Sequence, residues 1–74
     1  MLYRFTTYQV RFPERGSLWT GYSTRAQAEA TARGIHGSAG GVVEARYFEA
    51  EVPAWRLAAL QAEIAAGTNE AVAV

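Results

Sequence analysis

The chain contains no cysteine, no lysine and no aspartate, and its only histidine is His36. Without cysteine it cannot form a disulfide, a thiolate nucleophile or a thiolate metal site. Without lysine it cannot form a Schiff base or supply the phosphate-binding lysine of a P-loop. One imidazole is too few for most catalytic zinc centres. We therefore predict a protein that is not an enzyme and that uses no metal or other cofactor.

His36 is the only imidazole that could serve a catalytic triad, together with Ser23 or Ser38 and a glutamate. The chain has no G-x-S-x-G segment, which is the strained turn that presents a nucleophilic serine in many hydrolases. The segment 34–37 instead has the pattern of a helix end, where a histidine commonly meets the last carbonyl groups. We predict that His36 helps to end a helix and that no residue is catalytic.

The length of 74 residues predicts a single domain. A domain of this size buries only about 60–65% of the surface of its unfolded chain. Two Trp, four Tyr and three Phe supply most of the apolar bulk. No apolar run approaches the roughly 20 residues that span a bilayer, and Arg4 interrupts any signal-peptide pattern. We therefore expect a cytoplasmic protein with no membrane partner, either a monomer or a homodimer.

Three segments are predicted to be strands, spanning residues 2–12, 17–23 and 42–52. The first and the third alternate between apolar and polar residues, as half-buried strands do. In the turn between the first two, Pro13 fixes the starting backbone angle and Gly16 accepts a positive φ. The pattern predicts a β-hairpin and, later in the chain, a third strand.

Two segments have the apolar spacing of helices. The first begins after Thr24, which forms a capping-box pattern with Gln27, and runs to about Arg33. Its apolar stripe consists of Ala28, Ala32 and Ile35. The second begins near Pro53 and ends at Gly67, a residue suited to a left-handed stop. Its buried stripe consists of Leu57, Leu60 and Ile64.

The order of elements is strand, strand, helix, strand, helix. A right-handed crossover over the first strand gives an antiparallel three-stranded sheet of order 2-1-3. We predict an α+β fold in which both helices cover one face of the sheet and the other face stays open. Residues 1–67 form this domain. Residues 68–74 form a tail that is either a short extra strand or disordered.

The parity of the strands predicts which side chains occupy the open face. Six residues are expected to point to the helices: Tyr8, Val10, Phe12, Val43, Ala45 and Tyr47. Five point away, joined by either Trp19 or Thr20: Gln9, Arg11, Glu44, Arg46 and Phe48. Arginine and aromatic residues are enriched at interface hot spots. The predicted partner-binding residues are therefore Arg11, Trp19, Arg46 and Phe48, unless a dimer partner or the tail covers Phe48.

An acidic patch is the alternative binding surface. Glu44, Glu49 and Glu51 lie close together in the third strand, and Glu63 is a further candidate. The net charge is zero, but residues 1–37 carry +3 and residues 38–74 carry −3. Such a division either steers charged partners or is a chance outcome of seven charges of each sign.

The segment Trp19-Thr20-Gly21-Tyr22-Ser23-Thr24, followed by Ala28, resembles the W-x-G…T…A signature of AP2-type and phage-integrase arm-type DNA-binding domains. Those domains pack a three-stranded sheet on a helix and read DNA with sheet arginines and a tryptophan. The resemblance implies Arg11 and Trp19 as the DNA-contacting residues. Nucleic-acid affinity depends mainly on phosphate contacts, and a chain with zero net charge and no lysine offers few.

The size and the order of elements are similar to those of several small phage-encoded anti-CRISPR proteins. The shared layout is a hairpin, an alanine-rich helix, a glycine loop, a strand and a last helix. The resemblance implies a stoichiometric inhibitor that binds a host CRISPR effector complex and blocks nucleic-acid binding. A DNA-binding domain is the first alternative, and a self-associating structural module is the second. Salt dependence of DNA binding distinguishes the first two hypotheses.

Overall fold

The computed structural model describes residues 1–34 and 40–74. Its elements are β1 (Leu2–Phe12), β2 (Ser17–Tyr22), α1 (Arg25–Ala32), β3 (Val42–Glu51), α2 (Ala54–Ala65) and β4 (Val72–Ala73). The strands form one antiparallel sheet of order β2-β1-β3, with β4 also paired to β1. The predicted α+β class, element order and 2-1-3 strand order are therefore confirmed. The roles predicted for Ile35, His36 and Ser38 concern residues outside the described ranges.

Strand β1 is the centre of the sheet because both of its edges are paired. Along one edge it pairs with β3 without interruption, from Leu2 opposite Glu51 to Arg11 opposite Val42. The other edge is shared by β2 at one end and β4 at the other. The pairing with β2 contains a bulge, near which Gly21 adopts a φ of 90°.

Local signals in the sequence account for the ends of both helices. At the start of α1, the Thr24 hydroxyl accepts a hydrogen bond from the Gln27 backbone N–H at 3.3 Å, as the capping pattern predicts. At the end of α2, Gly67 has a φ of 76°. The N–H groups of Gly67 and Thr68 donate to the carbonyls of Ile64 and Glu63. This pair of bonds is a Schellman motif, so the helix stops where the glycine permits the left-handed turn.

The two helices lie on opposite faces of the sheet. Ala28 of α1 packs with Tyr8 and Val10 in one buried cluster, whereas Leu60 of α2 packs with Tyr3 in another, against which Phe5 also packs. Because the β1–β3 register runs without a shift, even-numbered and odd-numbered residues of β1 point to opposite faces. We call the side that carries Tyr8 and Val10 the α1 face, and the side that carries Tyr3 and Phe5 the α2 face.

The prediction that both helices cover one face is therefore wrong, and β4 supplies the reason. The chain crosses β1 from β2 to β3 through α1, then crosses back from β3 to β4 through α2. Both crossovers join parallel strands, because β2, β3 and β4 are each antiparallel to β1. Such crossovers are almost always right-handed. Two right-handed crossovers in opposite directions must pass over opposite faces.

The last residues of the chain belong to the folded domain. Ala71 is only 4% exposed and packs in the cluster under α2. The Val74 N–H donates to the Leu2 carbonyl at 3.0 Å. Of the two forms predicted for the tail, the structure shows the short extra strand. No helix within residues 1–34 and 40–74 is long and apolar enough to cross a membrane.

Candidate binding surface

Each helix covers only part of its face, so two areas of the sheet remain open. On the α2 face, the open area lies toward the Phe12 end of β1. We call it the arginine surface, and its residues are Gln9, Arg11, Leu18, Val42, Glu44, Arg46 and Phe48. On the α1 face, the open area lies toward the Leu2 end. We call it the tyrosine surface, and its residues are Leu2, Arg4, Tyr47, Glu49 and Glu51.

Arg11 is the centre of a row that crosses three strands. Leu18 of β2 lies directly opposite it on one side, and Val42 of β3 lies directly opposite it on the other. Both apolar side chains are about half exposed, at 50% and 48%. The guanidinium thus stands between two open apolar side chains, a combination of charge and apolar area that suits a protein interface.

Glu44 connects Arg11 to the rest of the surface. Its Oε1 atom accepts hydrogen bonds from Gln9 Nε2 at 2.8 Å and from Arg11 Nη2 at 3.2 Å. These bonds, led by the one from Gln9, lower the pKa of the Glu44 carboxyl, and the nearby charge of Arg46 acts in the same direction. Gln9 is only 8% exposed. A nearly buried amide and a carboxylate therefore hold the Arg11 side chain in position.

Phe48 extends the core under α2 to the surface. Its ring stacks on the Phe5 ring, with centroids 5.2 Å apart and planes 13° from parallel. Phe5 packs against the buried cluster, whereas Phe48 remains 49% exposed. The tail does not lie beside Phe48, because β4 pairs with the edge of β1 that faces away from β3. The Phe5 ring therefore supports the inner side of the exposed Phe48 ring.

Three of the four predicted binding residues share one surface, namely Arg11, Arg46 and Phe48. Trp19 does not join them. It lies opposite Val10, so its side chain is on the α1 face, where it is 41% exposed. The spacing of the hairpin turn determines which face of the sheet Trp19 occupies. The bulge in the β1–β2 pairing makes that face hard to predict by counting residues along β2. Leu18, which precedes Trp19, takes the place expected for the tryptophan.

Tyr47 has the predicted parity but not the predicted burial. It faces the same side as Tyr8, yet it is 68% exposed. Helix α1 covers the other end of this face, over Tyr8 and Val10, so nothing among the described residues buries the Tyr47 ring. The expectation that Tyr47 points to a helix is therefore wrong.

The alternative acidic patch does not exist as one surface. Glu44 lies on the α2 face, while Glu49 and Glu51 lie on the α1 face because their numbers differ from 44 by odd steps. Each carboxylate also has a cationic neighbour. Glu49 pairs with Arg4 at 3.4 Å, and Glu51 pairs with the amino group of Met1.

Glu63, the further acidic candidate, lies on α2. It forms two hydrogen bonds with Arg56, the shorter at 2.7 Å. These bonds lower the pKa of the Glu63 carboxyl, with help from Asn69. The charge of Glu63 is thus compensated within the helix.

An open groove of about 470 Å³ lies between β4 and the C-terminal half of α2, lined by Tyr3, Gln61, Ile64, Ala65, Ala71, Val72 and Ala73. Its lining is mostly apolar. Within the described ranges, no three acidic, histidine or cysteine side chains are grouped so that they could hold a metal ion.

In comparisons with protein-family models, with curated proteins and with solved structures, nothing matches this chain. Its function must therefore be inferred from its own surface.

Proposed function

We propose that the protein is a non-catalytic binding protein that attaches stoichiometrically to a partner protein through the arginine surface. The row Leu18–Arg11–Val42, with its guanidinium held by Glu44, is the observation that supports this proposal. A side chain that is already ordered loses little conformational entropy when it binds. The apolar neighbours exclude water from the contact and so strengthen it.

The partner that we propose is a CRISPR effector complex in the cytoplasm of a host cell, with the protein acting as a phage or mobile-element inhibitor. The small size, the element order and the similarity to anti-CRISPR proteins support this choice. Arg11 and Arg46 can each pair with a carboxylate on the partner, and Phe48 can fill an apolar site beside them. No cofactor is needed for such an action.

The DNA-binding alternative requires Arg11 and Trp19 to contact one duplex together. The two residues lie on opposite faces of the sheet. Arg11, at the centre of the arginine surface, also has a carboxylate neighbour in Glu44. The geometry therefore favours a protein partner over the phosphate backbone.

The proposal is tested by alanine substitution at Arg11 and Phe48, with Arg4→Ala as the matched control. Arg4 is also an exposed arginine of β1 that pairs with a glutamate of β3, but it lies on the tyrosine surface. Calorimetry against purified effector complexes should show binding weakened by about 1–3 kcal/mol for Arg11→Ala and Phe48→Ala. Arg4→Ala should bind like the parent chain.

Three results would contradict the proposal. The first is binding that Arg11→Ala and Phe48→Ala leave unchanged while Arg4→Ala abolishes it, which would move the site to the tyrosine surface. The second is no binding to any effector complex, which would remove the proposed partner. The third is tight binding to DNA that falls steeply with salt concentration, which would support the DNA-binding alternative.

A further inference from the structure

The outer edge of β3 is an unpaired sheet edge with large apolar side chains beside it. β3 is ten residues long, and within residues 1–34 and 40–74 it pairs only with β1. Val42, Tyr47 and Phe48 are 48%, 68% and 49% exposed. A long exposed edge of this kind is a template for another strand.

The backbone groups that point outward from β3 can be identified from its pairing with β1. Met1 and Val52 exchange both possible hydrogen bonds, at 2.8 and 3.1 Å, so they form a hydrogen-bonded pair of the antiparallel ladder. Such pairs recur at every second residue. Even-numbered residues of β3 therefore bond to β1. Odd-numbered residues, including Val43, Ala45 and Tyr47, direct their N–H and C=O groups outward.

We propose that this edge pairs with β3 of a second copy of the chain. The two strands run antiparallel about a two-fold axis at Ala45. The outward groups of Ala45 bond to those of Ala45 in the second copy, and Val43 bonds to Tyr47 of the second copy. The result is one continuous sheet through both copies, in the order β2-β1-β3-β3-β1-β2.

The charges of β3 select this register from the few that symmetry allows. In an antiparallel ladder, outward-bonding residues must face one another, so residues of equal parity pair. With the axis at Ala45, Glu44 faces Arg46 of the second copy, and this ion pair occurs twice. A shift of the axis by one residue brings Glu44 against Glu44 or Arg46 against Arg46. Like charges directly opposite each other destabilise a sheet.

The apolar residues fit the same register. Val42 faces Phe48 of the second copy on the α2 face, and Val43 faces Tyr47 of the second copy on the α1 face. Aromatic residues opposite β-branched residues are favourable cross-strand pairs. With the axis at Tyr47 instead, the sheet would still form, but neither ion pair would. The most exposed side chains along the edge of β3 are therefore complementary to the same side chains of a second copy.

Charge reversal with mixing tests the register. R46E leaves only acidic residues at positions 44 and 46, and E44R leaves only basic ones. Each variant alone should dimerise at least about tenfold more weakly in sedimentation, because both ion pairs become repulsive. An equimolar mixture of the two should form a heterodimer at least as readily as the parent chain forms its dimer. R4E, an equal change of charge on β1 away from the edge, should leave dimerisation unchanged.

Amide hydrogen exchange of the parent chain gives a test that needs no variant. The N–H groups of Val43, Ala45 and Tyr47 should become protected as the protein concentration rises. Those of Glu44 and Arg46, which bond to β1, should be protected at every concentration. The parent chain should sediment at twice its 8.0 kDa mass at high concentration.

The dimer is disproved if the parent chain stays monomeric at millimolar concentration with the three outward amides unprotected. The register is disproved if R46E dimerises like the parent chain or if the mixture fails to associate. Neither result depends on the partner-binding proposal, because R11A removes a side chain of β1 that bonds to Glu44 but keeps the outward backbone groups and the Glu44 and Arg46 side chains of β3, so dimerisation should stay intact. If R11A loses partner binding but still forms the dimer, then partner binding and dimerisation require different residues.

Discussion

At the scale of single residues, Glu70 joins three parts of the chain. Its Oε1 atom accepts a hydrogen bond from the Tyr8 hydroxyl at 2.6 Å, and its Oε2 atom accepts one from the backbone N–H of Arg25 at 2.7 Å. The Arg25 guanidinium also lies 5.2 Å from the centre of the Tyr8 ring. A negative charge at the N-terminus of α1 is favoured by the helix dipole. Glu70 therefore fixes the tail to both the sheet and the first helix.

These bonds predict a specific loss of stability in Glu70→Gln. The neutral amide cannot accept both bonds with the strength of a carboxylate, so we expect the free energy of unfolding at pH 7 to fall by about 1–3 kcal/mol. Urea titration followed by circular dichroism measures the change. Glu29→Gln is the control, because the Glu29 carboxylate lies 4.0 Å from Arg25, a longer contact than either bond of Glu70.

The loss should depend on pH. The Tyr8 hydroxyl and the Arg25 N–H lower the pKa of Glu70 from its usual 4.5. The stability that the charged group contributes is thus present above about pH 4.5 and disappears as the pH falls through the lowered value. The parent chain and Glu70→Gln should converge in stability in acid. A difference that stays constant down to low pH would show that the charge of Glu70 is not the cause.

At the scale of elements, the molecule has two separate cores on opposite sides of one strand. Val10 and Leu60 are both fully buried, yet they belong to different clusters on the α1 and α2 faces. Residues that share no contacts make additive contributions to stability. The sheet backbone lies between the two clusters, and the tail contacts both of them, through Glu70 at Tyr8 and through Ala71 under α2.

A double-mutant cycle tests this separation. Val10→Ala and Leu60→Val should each destabilise the domain, and their effects should add to within about 0.5 kcal/mol. Leu60→Val with Ile64→Val, two changes in one cluster, should show a larger interaction energy. Osmolyte can be added to keep the double variants folded. Strong coupling between Val10 and Leu60 would mean that the two helices share one core.

The strands, both helices and their order could be predicted because each follows from a local pattern. The side of the sheet that α2 covers could not be predicted from α2 alone. Its signal lies in β1, where the aromatic residues change phase from odd numbers, Tyr3 and Phe5, to even numbers, Tyr8 and Phe12. A strand with one buried face keeps a single phase, so the change marks a strand that is buried on one face and then on the other.

The candidate surface was only partly predictable for a related reason. Parity within β1 and β3 correctly groups Arg11, Arg46 and Phe48, because the pairing of those strands has no irregularity. The register of the hairpin, in which Ser17 lies opposite Phe12, places Leu18 on the arginine surface and Trp19 on the other face. The ion-pair partners of the acidic residues could not be predicted, because they depend on contacts between distant parts of the chain. One example is the Met1 amino group, which pairs with Glu51.

At the scale of the whole molecule, the tail completes the fold. β4 pairs with Tyr3 and Arg4, and Ala71 fills the cluster under α2. The boundary expected after residue 67 would leave this part of the core open. The domain extends through residue 74, and the second crossover exists only because β4 is part of the sheet.

A chain shortened after Gly67 should therefore fail to fold cooperatively. It loses the bonds of Glu70, the burial of Ala71 and the pairing of β4, and a domain of this size has little stability to spare. Thermal melting and the dispersion of amide NMR signals measure the result. The control carries Val72→Ser and Val74→Ser, which change exposed side chains and keep the backbone pairing. A shortened chain that melts like the parent would restore the boundary at residue 67.

The position of β4 also sets the order in which the domain can assemble. The first strand of the chain is the central strand, and one of its edges is finished only by residues at the opposite end of the sequence. Contacts between such distant residues slow folding, because a long loop must close before they form. During synthesis, β1 therefore emerges from the ribosome long before all of its neighbours exist. Its final hydrogen bonds can form only after translation has passed Ala73.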